Sequence, residues 1–174
     1  MSHIRHRLTT DDLIVLRAAI DADAATEPSI AEWISVGNFN SIFEWYNEDH
    51  ATFIVWRTEL EEQEVTGEDS PTGTIWDWTL YIGISAAEKS AWERMFHLGY
   101  IDPSRPNIRQ GVADIFSGPQ NSAQRAHLLA MATRPATRAE VLYATGTGTQ
   151  ANPGDLSFEG NLGWQDIRRA LELP

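Results

Sequence analysis

The stretch SAAEKSAWERMFHLG, residues Ser85–Gly99, carries the signals of one complete short helix. Its first four residues form a capping box, in which the side chains of Ser85 and Glu88 can each bind the other residue's backbone N–H. From Trp92 onward, three large apolar residues recur at helical spacing and predict a buried face. Gly99 then provides a stop signal. A helix is therefore predicted over about residues 86–98.

The same start signal recurs along the chain, and it favours a mainly α fold. Other Ser/Thr-x-x-Glu boxes begin at Ser29, Ser41 and Thr137. Apolar periodicity and stop signals extend the pattern. The predicted helices cover about residues 11–24, 29–35, 42–46, 106–116, 122–134, 137–146 and 164–173. We predict a compact bundle of about six to eight short helices.

At most one small β element is expected beside these helices. Ala51–Thr58 is dense in β-branched and aromatic residues, which favour strands. The other candidate is the arm Gly146–Gly160. The acidic run Glu59–Asp69 is predicted to be an exposed loop, and a buried helix is predicted to start near Thr74.

Charge divides the chain into two parts. The net charge is −12, and residues 1–102 hold 19 acidic and 6 basic residues, whereas 103–174 hold 6 and 7. We predict an acidic, Trp-rich helical part over 1–102 and a C-terminal helical part with a Thr-Gly connector over 103–174, together forming one cooperative domain. The acidic balance disfavours direct binding to nucleic acid or to anionic membranes. No apolar run approaches the length of a membrane span.

No catalytic, cofactor-binding or metal-binding residue is predicted. Without cysteine, disulfides, thiolate catalysis and Cys-based metal sites are excluded. The Gly-Thr-Gly-Thr stretch at Gly146–Thr149 follows a predicted helix and lacks a lysine, so it does not match a phosphate loop. Gly146 is instead predicted to be a left-handed cap. The five histidines, His3, His6, His50, His97 and His127, show no metal-ligand spacing, and no Gly-x-Ser-x-Gly elbow occurs.

Tryptophan is the unusual feature of the composition, with seven copies. Most can be core residues, but tryptophan is also enriched in protein–protein interfaces. The candidate interface residues are Trp45, Trp56, Trp76, Trp78, Thr147, Gly148, Thr149, Phe158 and Trp164.

The C-terminal segment resembles a family of small tailed-bacteriophage proteins. The matching pattern is ATRAE–LYATGTGT–ANPG–LSFEG–L–W–DI–RAL, with RPNIRQGVADIFSG and FIVWRT also similar. The resemblance covers about residues 51–174. Pro135 and Gly163 depart from the family's pattern. They predict a kink in an otherwise continuous helix and a weaker start to the last helix.

The resemblance implies a virion component at the head–tail neck, in the tail or on the capsid. Its partners would be other virion proteins and copies of itself, and it would pass through the host cytoplasm during assembly. The resemblance implies no cofactor and no catalytic residue. One alternative is a non-virion phage protein that binds a host protein, and an acidic DNA mimic is one form of this alternative. Another alternative is a small enzyme or regulatory module without a recognisable motif.

Overall fold

Helices dominate residues 8–173, the part of the chain that the computed structural model describes. In chain order the helices are α1 Thr10–Ala24, α2 Pro28–Ser35, α3 Phe39–Asn47, α4 Glu62–Gly67, α5 Trp78–Gly83, α6 Ala86–Met95, α7 Pro106–Ile115, α8 Ser122–Met131, α9 Arg138–Val141 and α10 Trp164–Leu171, with a 3-10 turn at Pro119–Asn121. The mainly α prediction is confirmed.

The strands are few and short. They are β1 Asp49–Trp56, β2 Leu60–Glu61, β3 Tyr100–Ile101, β4 Thr133–Thr137, β5 Ala144–Thr145 and β6 Asp155–Leu156. They form three two-stranded sheets, β1–β4, β2–β3 and β5–β6. The last two are antiparallel, with Leu60 opposite Ile101 and Ala144 opposite Leu156. Ala51–Thr58 and the Gly146–Gly160 arm both contribute strand residues, so the prediction of at most one small β element is too low: residues 8–173 contain three small sheets.

Residue contacts divide the chain into two units. Unit 1 contains the residues up to Phe53 and those from Pro135 onward, and unit 2 contains Ile54–Arg134. The boundaries lie within β1 and β4, not at the charge change near Asp102. Because a change in composition marks a turn without requiring a change of core, the two divisions need not coincide. A single bundle of six to eight helices is not confirmed.

The core of unit 1 is aliphatic and is formed mainly by α1, α2, α3 and α10. Leu16, Ile20, Ile30, Ile42 and Ile167 are fully buried there. Burial of such side chains is the dominant favourable term in folding.

A tyrosine completes the unit 1 core. Its hydroxyl, on Tyr46, donates a hydrogen bond of 2.5 Å to Asp23. Burial, and then the hydrogen bond and charge of Asp23, raise the pKa of Tyr46.

The core of unit 2 is aromatic. Trp76, Trp92, Phe96 and Phe116 are buried together with aliphatic residues from α4, α8 and β3. The Trp92 indole N–H donates a 2.8 Å hydrogen bond to Glu62, which satisfies a polar group that burial would otherwise penalise.

Capping explains several helix starts. Ser85 and Glu88 form the predicted reciprocal box at the start of α6. The predicted boxes at Ser29 and Ser41 are wrong, because α2 begins one residue earlier at Pro28 and Asn38 caps α3. Proline is pre-organised for the first helical position, so it overrides a serine signal one residue later.

The acidic run is not a loop, so that prediction is wrong. It forms β2 and α4, and Val65 of α4 is fully buried. Arg57 donates from Nη2 to both carboxylate oxygens of Glu64 at 2.8 and 2.9 Å. Tertiary contacts therefore outweigh the weak local helix signal.

Two further predictions are corrected by the chain between α4 and α9. The helix after Thr74 starts only at Trp78 and has no fully buried residue, so it is not a buried helix. No kinked helix surrounds Pro135, because this proline lies inside β4. The helix after Thr137 ends at Val141 because the chain then turns into β5.

Candidate interaction site

An aromatic cluster in unit 2 fixes the position of α5. The Trp76 ring centroid lies 5.1 Å from that of Trp92, 5.9 Å from Phe116, 5.7 Å from Tyr81 and 5.9 Å from Trp78. Such tilted and edge-on arrangements are the favourable geometries for aromatic pairs. Since two of these rings belong to α5, the cluster holds this short helix from its inner side.

Large apolar side chains of α5 also remain exposed. Trp78 is 54% exposed and Ile82 is 69% exposed. Four residues apart on a helix, they are surface neighbours, and we call this pair the α5 patch. Ile75, just before the helix, is 65% exposed. Isolated exposed apolar residues are ordinary, but neighbouring ones around an anchored tryptophan are typical of interaction surfaces.

Carboxylates dominate the sequence around the α5 patch. From residue 59 to residue 93 the chain has nine acidic residues and one basic residue, Lys89. The acidic residues are Glu59, Glu61, Glu62, Glu64, Glu68, Asp69, Asp77, Glu88 and Glu93. Lys89 donates a 2.7 Å hydrogen bond to the carbonyl of Ile82 at the C-terminal end of α5.

Two observations place negative charge at α5 itself. The carboxylate of Asp77 accepts hydrogen bonds from the backbone N–H groups of Thr79 and Leu80. Burial, and then the negative charges of Glu93 and Glu62, raise the pKa of Tyr81. A partner for the α5 patch would therefore combine apolar surface with positive charge.

Unit 2 also contains an apolar cavity of about 210 Å³. Its inner wall consists of the buried residues Leu60, Ile101, Pro103, Leu128 and Ala132. Its outer wall consists of half-buried or exposed residues on α7 and α8, namely Ile108, Val112, Ala113 and Leu129. For comparison, an apolar cavity of about 150 Å³ is large enough to bind benzene.

Two arginines also line this cavity. The Arg109 guanidinium lies 4.3 Å from the ring centroid of Trp56, a cation–π contact. Its Nη1 donates to the carbonyls of Pro103 and Ser104 at 2.8 and 2.6 Å. Arg125 Nη1 donates to the carbonyls of Phe116 and, at 2.9 Å, Gly118.

Neither cation has a carboxylate partner within residues 8–173. No Asp or Glu oxygen in this range lies within 4.0 Å of a side-chain nitrogen of Arg109 or Arg125. The carbonyl contacts hold the two guanidinium groups in place, and both remain positively charged without a carboxylate within 4.0 Å in this range. The cavity therefore combines an apolar interior with positive charge at its wall.

The tryptophans predicted for an interface have different environments in unit 2. Trp78 is exposed in the α5 patch, Trp56 is half-buried at the cavity wall, and Trp76 is buried in the aromatic cluster. Sequence reasoning missed Ile82, although its spacing from Trp78 is a usable signal. It also missed Arg109 of α7 and Arg125 of α8, and only for Arg109 did the amphipathic pattern of α7 offer a signal.

Some of the predicted interface residues of unit 1 make contacts within the fold. Arg138 places its guanidinium 4.3 Å from the ring centroid of Trp45 and donates to the Trp45 carbonyl at 2.8 Å. Phe158 is buried, with its ring centroid 5.3 Å from that of Tyr143. Trp164, the first residue of α10, is 39% exposed.

The Thr-Gly stretch packs against one phenylalanine. A Cβ on Gly148 would lie 2.4 Å from a ring carbon of Phe53, and one on Gly154 would lie 2.7 Å from that ring. Thr147 and Thr149 are exposed, whereas Gly148 is buried. Gly148 and Gly154 therefore allow close packing on Phe53, which accounts for glycine at these two positions without a ligand.

Residues of the C-terminal pattern also bind one another. Glu140 is buried, and its carboxylate accepts hydrogen bonds from the backbone N–H groups of Thr137 at 3.0 Å and Gly160 at 3.1 Å. The Thr137 hydroxyl accepts in turn from the Glu140 N–H. We call these contacts the Glu140 latch, and they connect the start of α9 to the segment before α10.

The start of α10 is supported despite Gly163. The Asp166 carboxylate accepts a 2.9 Å hydrogen bond from the Gly163 N–H, and Asp166 favourably places a negative charge in the first turn. The predicted helix is present from Trp164 to Leu171.

Histidine and carboxylate side chains do not assemble a metal site in the described range. No group of three or more such residues there could hold a metal ion. His127 is buried, with Nε2 2.8 Å from the Val65 carbonyl and Nδ1 3.0 Å from the Thr74 carbonyl. His3 and His6 lie outside the described residues.

The helices of residues 8–173 include none that is both long enough and apolar enough to cross a membrane. Comparison with known proteins adds no relative: no protein-family model matches the chain, and no curated protein or solved structure shows significant similarity to it.

Proposed function

We propose that this chain is a structural protein of a tailed-bacteriophage virion that acts through protein–protein contacts. Its place would be the head–tail neck, the tail or the capsid surface, with the host cytoplasm as its location during assembly. Its partners would be other virion proteins and copies of itself. The proposal assigns it no enzymatic activity and no cofactor.

The α5 patch is the observation that supports this proposal. Trp78 is anchored by its ring contacts with Trp76 and Tyr81, and Ile82 lies one helical turn further along α5, so both exposed residues belong to a helix that the aromatic cluster holds. Tryptophan at the centre of an exposed patch is typical of binding hot spots. The resemblance of the C-terminal pattern to small phage proteins provides the biological setting.

Mass spectrometry of purified particles tests this proposal. We expect peptides of this chain in virions after density-gradient purification, at a constant ratio to the major capsid protein. An abundant host cytoplasmic protein serves as the contamination control. If the chain is no more abundant than that control, the virion proposal is wrong.

A non-virion protein that binds a host protein is the second candidate. The nine carboxylates between residues 59 and 93 favour it, because a dense acidic surface can compete with nucleic acid for a basic site. It predicts absence from particles and displacement of DNA from a host protein by the purified chain.

We also retain the prediction that the helices assemble into one compact bundle. Small-angle X-ray scattering tests it: about 174 residues in one compact body have a radius of gyration of about 16 Å. A distinctly larger value would contradict the compact bundle without affecting the proposal of a virion role.

A further inference from the structure

We propose that the α5 patch of one copy docks into the cavity between α7 and α8 of a second copy. The inference rests on the proposed assembly function and names its partner as the chain itself. Both surfaces belong to unit 2, so the argument uses the geometry of that unit alone.

The α5 patch and the cavity match in size and polarity. The cavity is apolar and, at about 210 Å³, exceeds the volume known to accept a benzene ring. The α5 patch offers the indole of Trp78, a residue that is 54% exposed, together with the aliphatic side chain of Ile82. Docking would remove apolar surface from water on both sides.

The charges of the α5 patch and of the cavity wall are also complementary. Arg109 and Arg125 bring positive charge to the cavity wall without a carboxylate partner in the described range. Asp77 and Glu93 bring negative charge to α5. When the apolar groups meet, opposite charges surround them, which favours this pairing over the pairing of two like surfaces.

The two surfaces are different parts of one chain, and this determines the type of assembly. No residue of α5 lines the cavity. A contact between unlike surfaces is heterologous, so each copy keeps one free surface of each kind after pairing. Repetition gives a ring if the rotation closes and an open filament if it does not. Both are forms that multi-copy virion parts require.

Complementary variants test the proposal by sedimentation velocity on the full chain. The patch variant, Trp78→Ser with Ile82→Ser, removes the apolar groups but keeps the cavity. The cavity variant, Ala113→Trp, changes an exposed residue at the cavity mouth and blocks entry while keeping the patch. Val36→Ser, at an exposed apolar residue of unit 1, is the matched control. Circular dichroism confirms that each variant folds.

We expect the wild type and the Val36→Ser control to associate as concentration rises. Each of the other two variants alone should associate at least about tenfold more weakly. An equimolar mixture of the patch and cavity variants should form a dimer that does not grow, because only one productive contact remains. Raising NaCl from about 50 to about 500 mM should weaken association of the wild type.

Other outcomes overturn the proposal. A wild type that stays monomeric at millimolar concentration, variants that associate like the wild type, or a mixture that stays monomeric would each contradict it. If the wild type stays monomeric at millimolar concentration while its cavity binds free indole, the cavity is a small-molecule site instead. Presence in virions without self-association would leave the proposed function standing, while association without presence in virions would remove only the virion role.

Discussion

At the scale of single residues, buried polar contacts in unit 1 make a testable contribution to stability. Glu140 is the clearest example, because its carboxylate accepts two backbone N–H bonds while almost fully buried. Hydrogen bonds to a charged group contribute more than neutral ones, and their loss leaves buried donors unsatisfied.

Glu140→Ala should therefore lower the free energy of unfolding by about 2–4 kcal/mol. The measurement is urea denaturation followed by circular dichroism. Glu172→Ala is the control, because Glu172 pairs with Arg168 on the surface and should contribute less than about 1 kcal/mol. Equal effects of the two substitutions would show that the Glu140 latch does not stabilise the fold.

Gly148 makes a second prediction at this scale. It combines a positive φ of 61° with a position directly against the Phe53 ring. Gly73 has a similar φ of 75° with nothing within 4 Å of an added Cβ. Gly148→Ala should lower the free energy of unfolding by about 1–3 kcal/mol more than Gly73→Ala does, because only the Cβ added at residue 148 meets an aromatic ring. In a Phe53→Ala background the two costs should converge, and a difference that persists would exclude Phe53 as its cause.

At the scale of elements, α4 illustrates how tertiary contacts create a helix that sequence signals do not reveal. Its glutamates are satisfied from elsewhere in unit 2: Arg57 binds Glu64, and the Trp92 indole binds Glu62. Burial alone would raise the pKa of Glu64, but the hydrogen bonds from Arg57 and from the Glu61 N–H, together with the Arg57 charge, lower it below 4.5.

Because the pKa of Glu64 is lower in the folded state, Glu64 contributes to stability in a pH-dependent way whose sign is known. The contribution is present above the unfolded-state pKa of Glu64 and is lost as pH falls through the folded-state pKa. At about pH 7, the wild type should exceed Glu64→Gln in unfolding free energy by about 1 kcal/mol. This difference in unfolding free energy between the wild type and Glu64→Gln should become smaller as pH falls through the folded-state pKa of Glu64.

Urea denaturation at several pH values measures this difference in unfolding free energy, because urea is uncharged and does not screen the ion pair. Glu44→Gln is the control, because Glu44 is exposed on α3 and has no ion pair among the described residues. If this difference for Glu64→Gln is constant with pH, the Arg57–Glu64 ion pair does not contribute to stability.

Elements with their own local signals were predictable from the sequence. The α1, α6 and α7 helices each combine a start signal with apolar spacing, and all were located to within about three residues. The exceptions depend on distant residues. The run that forms α4 lacks a strong local signal, and α9 gives way to β5 because β6, ten residues further on, pairs with it.

The candidate site was predictable only in part for a similar reason. Tryptophan composition pointed to Trp56 and Trp78, but nothing local distinguishes exposed Trp78 from buried Trp76, two residues away. The cavity requires the approach of α7, α8 and β3, and its two arginines are ordinary helix residues in the sequence. Contacts between elements, rather than residue types, decide such features.

At the scale of the whole molecule, two separate cores predict that the units lose structure separately. Phe116 is fully buried in unit 2. Phe116→Ala should therefore lower the free energy of unfolding of that unit by about 3–5 kcal/mol. Hydrogen exchange should accelerate among the amides of Ile54–Arg134 and change little elsewhere. Ile42→Ala, in the core of unit 1, should give the opposite pattern. Uniform acceleration by either substitution would instead support the single cooperative domain expected from the sequence.

The pairing of β1 with β4 has a consequence for how this protein can vary. The chain leaves unit 1 within β1 and returns to it within β4, and these two strands form one sheet. Unit 2 is therefore one continuous segment of the chain, and it is bounded at both ends by the strands of one sheet, in which neighbouring strands lie about 4.8 Å apart. Segments of this kind can be lengthened, shortened or exchanged without altering the order of the host elements. Related chains could thus keep the Glu140 latch and the α1–α3 scaffold while carrying different inserts, each with its own partner.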